Sequence, residues 1–102
     1  MIINVSNYIT DGLTPDSAQV IYNLIKKNQD EDEIIVNFSH IHYFALTFFN
    51  IFSKLYNEMD YSKIKVINLN DIGQALYNRV IDNANNSIIL SKKQLLEEIS
   101  SY

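Results

Sequence analysis

Three groupings of side chains have the types that chemistry requires. Ser39-His40-Ile41-His42 offers a hydroxyl and two imidazoles, and an i, i+2 pair on extended chain points to one side. Ser39, His42 and an acid from elsewhere would supply the groups of a hydrolytic triad, but no recognised nucleophile signature surrounds Ser39. The imidazoles of His40 and His42 could begin a metal site. Such sites take three or four donors, and no Asp or Glu stands in the stretch that follows. The acidic run Asp30-Glu31-Asp32-Glu33 lacks the spaced oxygens and the turn glycine of a calcium loop, so it reads as a solvated turn. A phosphate cradle needs glycines where backbone approaches a ligand, and Gly12 and Gly73 sit in no Gly-rich turn. The residues therefore predict no catalytic group, no metal ligand and no cofactor, and the chain is expected not to be an enzyme.

The bulk properties narrow the field in the same direction. The chain has 102 residues, 47% of them hydrophobic and 20% charged, with a formal charge of −4. A chain of this length forms one core and buries about two-thirds of its unfolded surface. Without cysteine it has no disulfide framework, thiolate metal site or redox couple, and it suits a reducing, cytoplasmic setting. An acidic molecule with no visible basic patch repels phosphate backbones and anionic membrane surfaces, so neither nucleic acid nor membrane is an expected partner. Met1-Ile2-Ile3-Asn4-Val5 carries no basic lead, and no apolar run approaches the roughly 18 residues of a membrane span, so the start is expected to belong to the fold. The abundance of Asn, Ile, Lys and Tyr suggests an AT-rich, bacterial genome.

Polar punctuation at Thr10-Asp11-Gly12, 28–33, Asp60-Tyr61-Ser62 and 83–87 separates the elements. Residues 2–9 alternate imperfectly, with Ile3, Val5 and Ile9 on one side, as in an edge strand. Thr14-Pro15-Asp16 has the cap, first-turn proline and acid of a helix start, and Ala18, Ile21, Leu24 and Ile25 carry that helix to about Asn28. Residues 34–38, nearly all apolar, predict a central strand covered on both faces. From Ala45, the positions Phe48, Phe49, Phe52, Leu55, Tyr56 and Met59 step by three and four, which makes this the main core helix. Phe44 extends the same aromatic stripe, and Tyr43 stands just before it. Residues 64–69 form a third strand, and Asn70 or Asp71 caps a helix with Ile72, Ala75, Leu76, Val80 and Ile81 on one side. Ser91-Lys92-Lys93-Gln94, spaced as a capping box, opens a short terminal helix after Ile88-Ile89-Leu90. Alternation of strand and helix predicts an α/β fold: a small, mostly parallel or mixed sheet of three to four strands with helices packed on it, plus a C-terminal helix.

At residues 34–52 the string IIVNFSHIHYFALTFFNIF resembles the central block of STAS domains, the anti-sigma factor antagonist fold, and especially of the smaller STAS-like domain family. Asn37-Phe38-Ser39 takes the place of the strand end, Ile41 and Phe44 the apolar positions, and Ala45-Leu46-Thr47-Phe48-Phe49 the helix start. Residues 64–69 with Asn70-Asp71 resemble the family's next strand and turn, and Asp11-Gly12-Leu13 to Ala18 its first helix. The resemblance covers about residues 1–82 of a single domain and leaves 83–102 as a C-terminal appendage.

The resemblance implies a non-enzymatic interaction module in bacterial signalling and regulation. Its partner would be an ATPase of the histidine-kinase type, acting as a serine/threonine kinase, or an anti-sigma factor. Docking would use the second-strand to second-helix surface, here His42, Tyr43, Phe44, Ala45, Leu46, Thr47 and Asn50. Leu46 stands where the family's phosphoacceptor would be, and Asn37 where it has an acid; Thr47, one position on, is the remaining hydroxyl, so either Thr47 is the acceptor or the switch is lost and the domain only docks. An alternative reading is a structural or assembly domain whose Ile88, Ile89, Leu90, Leu95, Leu96 and Ile99 pack on a second copy to make a homodimer.

Overall fold

The structure is a computed structural model and describes residues 1–83. Strand β1 (Ile2–Asn4) is followed by helix α1 (Pro15–Lys27), strand β2 (Ile34–Asn37), helix α2 (Leu46–Glu58) and strand β3 (Ile64–Ile67). Helix α3 then spans residues 71–83, up to the last one described. The strands pair in the order β1-β2-β3, all parallel, with Ile3 opposite Val36 and Val36 opposite Val66. Each parallel neighbour is reached through a helical crossover, as the alternation predicts. The expected appendage, with Ile88-Ile89-Leu90 and the capping box at Ser91, lies outside the described residues. No helix among the described residues is long and apolar enough to cross a membrane.

The local signals for α1 act as read. Thr14 Oγ1 accepts the Ser17 N–H at 3.1 Å, Pro15 takes the first helical position, and Lys26 and Lys27 stand near the negative end of the helix dipole. Ala18, Ile21 and Ile25 are buried, and α1 packs along α2, whose Phe48, Phe49, Phe52 and Leu55 are also buried. These two helices cover one face of the sheet, formed by Ile3, Ile34, Val36 and Ile64. Phe38, just past β2, is the hub: its ring lies 5.8 Å from Phe44, 6.1 Å from Phe48 and from Phe52, and 6.3 Å from Phe49. Burying each such ring contributes about 1.5–3 kcal/mol, and each edge-to-face pair about 0.5–1.5 kcal/mol more.

Three expectations need correction. Strand β2 is central, but among the described residues helices cover only one of its faces. Ile35 and Asn37 are half-buried on its other face, in register with Ile2 and Lys65, and with Asn4 and Ile67. Strands added in chain order by crossovers of one hand place both crossover helices on the same side, which an apolar run cannot reveal. The first strand ends at Asn4, and Val5–Asn7 forms a 3-10 turn with the Tyr8 and Ile9 N–H groups bonded to the Val5 carbonyl. Val5 and Ile9 are still buried, because a turn at i, i+4 returns both to one side. Of the two candidate caps of α3, Asn70 takes the role, its Oδ1 accepting the Gly73 N–H at 2.8 Å. The packed side, however, is Gly73, Leu76, Tyr77 and Val80, while Ile72 and Ala75 are exposed.

Candidate functional site

The C-terminal ends of the three strands carry the loops in which functional residues of open α/β sheets gather. There a row of asparagines ties the strands together. Asn37 Nδ2 donates to Asn4 Oδ1 at 3.0 Å, and Asn68 Nδ2 donates to Asn37 Oδ1 at 2.9 Å. The same Oδ1 accepts the Ser39 N–H at 3.1 Å and the Ser39 hydroxyl at 2.9 Å. Two non-glycine residues beside this row adopt left-handed backbone, His40 with φ 71° and Asn68 with φ 62°, types that tolerate this region better than most. The turn at His40 redirects the chain so that Ile41 is buried and residues 42–45 run outward along the loop after β1.

Residues 42–45 are held from two directions. Gly12 and Phe44 form an isolated parallel bridge: the Gly12 N–H donates to the Tyr43 carbonyl at 2.7 Å, and the Ala45 N–H donates to the Gly12 carbonyl at 2.9 Å. On the other side, Asn70 Nδ2 donates to the His42 carbonyl at 2.8 Å. The Phe44 ring is seated between the chain's two glycines. A Cβ on Gly12 would stand 2.6 Å from Phe44 Cδ1, and one on Gly73 would stand 2.8 Å from Phe44 Cε2. Neither glycine has a positive φ, so close approach rather than turn conformation requires them.

Alternation along this bridge sets the directions of the side chains. Phe44 points inward against Gly12, so Tyr43 and Ala45 share the outward side with Asp11 and Leu13. Tyr43 is 67% exposed although its backbone is bonded to Gly12 and its neighbours are anchored. His42, Thr47 and Asn50 are exposed beside it, and Ala45 and Leu46 are half-buried. Thr47 lies in the first turn of α2, where the N-cap residue Ala45 provides no side-chain hydrogen bond. Phe44, expected on the docking surface, is 8% exposed and belongs to the core, because the two glycines open a slot for its ring.

The other candidate groups are dispersed. His40 and His42 are exposed, and among the described residues no three His, Cys, Asp or Glu side chains cluster to hold a metal ion. Ser39 spends its hydroxyl on Asn37. Glu33 of the acidic turn pairs with Lys65 at 2.6 Å, which holds its carboxyl below the usual range. Sequence reasoning missed the buried Gly12 and Gly73 that seat Phe44, and the exposed Leu13 and Ile72 beside them. Their only signal was that a chain with so few glycines keeps two of them.

A three-stranded parallel sheet with two crossover helices on one face and a pinned loop ahead of the second helix makes this a small α/β domain. The sequence pattern of the STAS-like domain of unknown function (DUF4325) matches residues 17–74, over half of the chain, and the chain belongs to that family. The match runs from Ser17 in the first turn of α1 through β2, the Asn37–Thr47 segment, α2 and β3 to the first turn of α3. No curated protein and no solved structure matches the chain.

Proposed function

We propose that this STAS-like domain is a non-enzymatic docking module of bacterial, cytoplasmic signalling, which binds a partner protein through the loop between β2 and α2 and the start of α2. The exposed Tyr43 on an anchored backbone carries this reading. An aromatic side chain whose main chain is already ordered by Gly12 and Asn70 loses little further freedom on binding, and such residues dominate interface energies. His42, Thr47 and Asn50 extend the surface, with Ala45 and Leu46 half-buried at its base. The partner implied by the resemblance is a histidine-kinase-type ATPase or an anti-sigma factor. Thr47 is the candidate phosphoacceptor: a phosphate in the first turn of α2 meets the positive end of the helix dipole, and Ala45 offers no competing side chain.

The test is affinity purification of the chain from its native host, with every co-purifying protein identified and the intact mass of the bait recorded. The expected result is a stoichiometric ATPase-type partner that Tyr43→Ala or Leu46→Asp removes, Tyr43→Ala costing about 1–4 kcal/mol of affinity while leaving the thermal melt within about 0.5 kcal/mol. An added phosphate mapping to Thr47 supports the switch. Partner capture indifferent to both substitutions would refute the surface. The homodimer reading, drawn from the apolar residues at 88–99, is joined by Ile2 and Ile67, which are exposed on the sheet face opposite the two crossover helices. A concentration-independent monomer by light scattering would remove it.

A further inference from the structure

The docking surface has a definite chemical character that points to the partner's. Three loops converge on Phe44: residues 11–13 through Gly12, residues 42–45 themselves, and the first turn of α3 through Asn70 and Gly73. Each brings an exposed large apolar side chain from next to its contact residue: Leu13 at 46%, Tyr43 at 67% and Ile72 at 63% exposure. Ile72 is on α3's outward side because Gly73 must face the Phe44 ring. Leu13 shares the outward side of the bridge with Tyr43. Exposed apolar side chains raised by loops that meet at one ring have the character of an interaction site.

Its rim is acidic. Asp11 stands beside Leu13, whose N–H it accepts at 3.0 Å, and Asp71 precedes Ile72. Residues 8–16, 38–47 and 68–75, which build the surface, contain no Lys or Arg at all. The lysines with described partners lie at the far end of the sheet: Lys65 with Glu33, Lys26 with Glu58, and Lys63 with the Gln29 carbonyl. The loops that build the surface therefore supply no Lys or Arg to its carboxylates.

We infer that Leu13, Tyr43 and Ile72, flanked by Asp11 and Asp71, receive a cationic amphipathic segment of the partner protein, with apolar side chains on the patch and Lys or Arg against the two aspartates. A second copy that met this patch with its own would bring the same aspartates against these, and like charges across an interface are unfavourable. Nucleic acid is repelled for the same reason. This deepens the docking reading and rests on it.

The experiment is an NMR titration of the isotopically labelled full chain with two helical peptides of identical leucine spacing, one with Lys and one with Glu at every polar position. The Lys peptide is expected to shift the amides of Leu13, Tyr43 and Ile72, and the Glu peptide to leave them unmoved. The double substitution Asp11→Asn/Asp71→Asn keeps a side-chain oxygen at position 11 to accept the Leu13 N–H and removes only the charges. It is expected to weaken the Lys peptide about fivefold, from two exposed charge pairs. Equal binding of both peptides, or shifts confined to the acidic turn at 30–33, would overturn the inference. In the native-host capture, a partner lost on Tyr43→Ala but indifferent to Asp11→Asn/Asp71→Asn would leave the docking reading standing and remove the cationic partner. A partner indifferent to Tyr43→Ala would remove both.

Discussion

Gly12→Ala tests whether the seat of Phe44 organises this end of the molecule. The new Cβ would stand 2.6 Å from Phe44 Cδ1, 3.1 Å from Cε1 and 3.2 Å from the Tyr43 carbonyl oxygen. Ordinary carbon contacts are about 3.5–4.0 Å, so the ring must retreat by nearly 1 Å. It has nowhere to go: Gly73 abuts its other edge, and the rings of Phe38 and Phe49 are centred 5.8 and 5.5 Å away. Overpacking of this kind costs about 1–3 kcal/mol. Replacing glycine also removes freedom from the unfolded chain, which offsets about 0.4–1 kcal/mol because no positive φ stands in the way. The net loss centres on about 1.3 kcal/mol. With a urea m-value of about 2 kcal/mol/M, the unfolding midpoint falls by about 0.5–1 M. Gly73→Ala meets the same ring but gains about 1 kcal/mol of helix propensity, so it is the milder change. Phe44→Leu trims the clashing ring atoms, and in its background Gly12→Ala should cost at least about 0.5 kcal/mol less. An unchanged midpoint for Gly12→Ala, or strict additivity with Phe44→Leu, would refute the reasoning.

Two further perturbations probe the polar ties. The hydroxyls of Tyr61 and Tyr77 lie 2.6 Å apart, joining the turn before β3 to α3, and burial together with the Tyr77 neighbour pushes the Tyr61 hydroxyl well above its ordinary value. A raised folded-state value means stability present in full below about pH 10, the unfolded tyrosine value, and lost as pH rises through the folded one. Urea midpoints at pH 7 and pH 11 should therefore fall less in Tyr61→Phe than in the wild type, and an equal fall would exclude this pair as the source. Asn37→Ala deprives Ser39 N–H, the Ser39 hydroxyl and Asn68 Nδ2 of their acceptor and should cost about 1–3 kcal/mol, whereas Asn37→Asp keeps that oxygen and should cost less at neutral pH. Equal midpoints for the two variants would show that the asparagine row does not hold the strand ends.

The sequence by itself determined the element order, the cap at Thr14, the buried stripe of Phe48, Phe49, Phe52 and Leu55, and the family, because these depend on spacing along a few turns of chain. Which side of an element finds a neighbour depends on residues far apart in sequence, and that only the tertiary structure decided. The run at 34–38 could not tell a strand covered on both faces from one covered on a single face, since the hand of two crossovers settles it. Ile72 sits at a helical spacing that favoured burial, yet Gly73 had to meet the Phe44 ring and turned Ile72 outward. Phe44 and Tyr43 are adjacent aromatics with no local signal to separate them. One lies in the core and the other projects into solvent because Gly12 and Gly73, from two other loops, leave a slot of one ring's width.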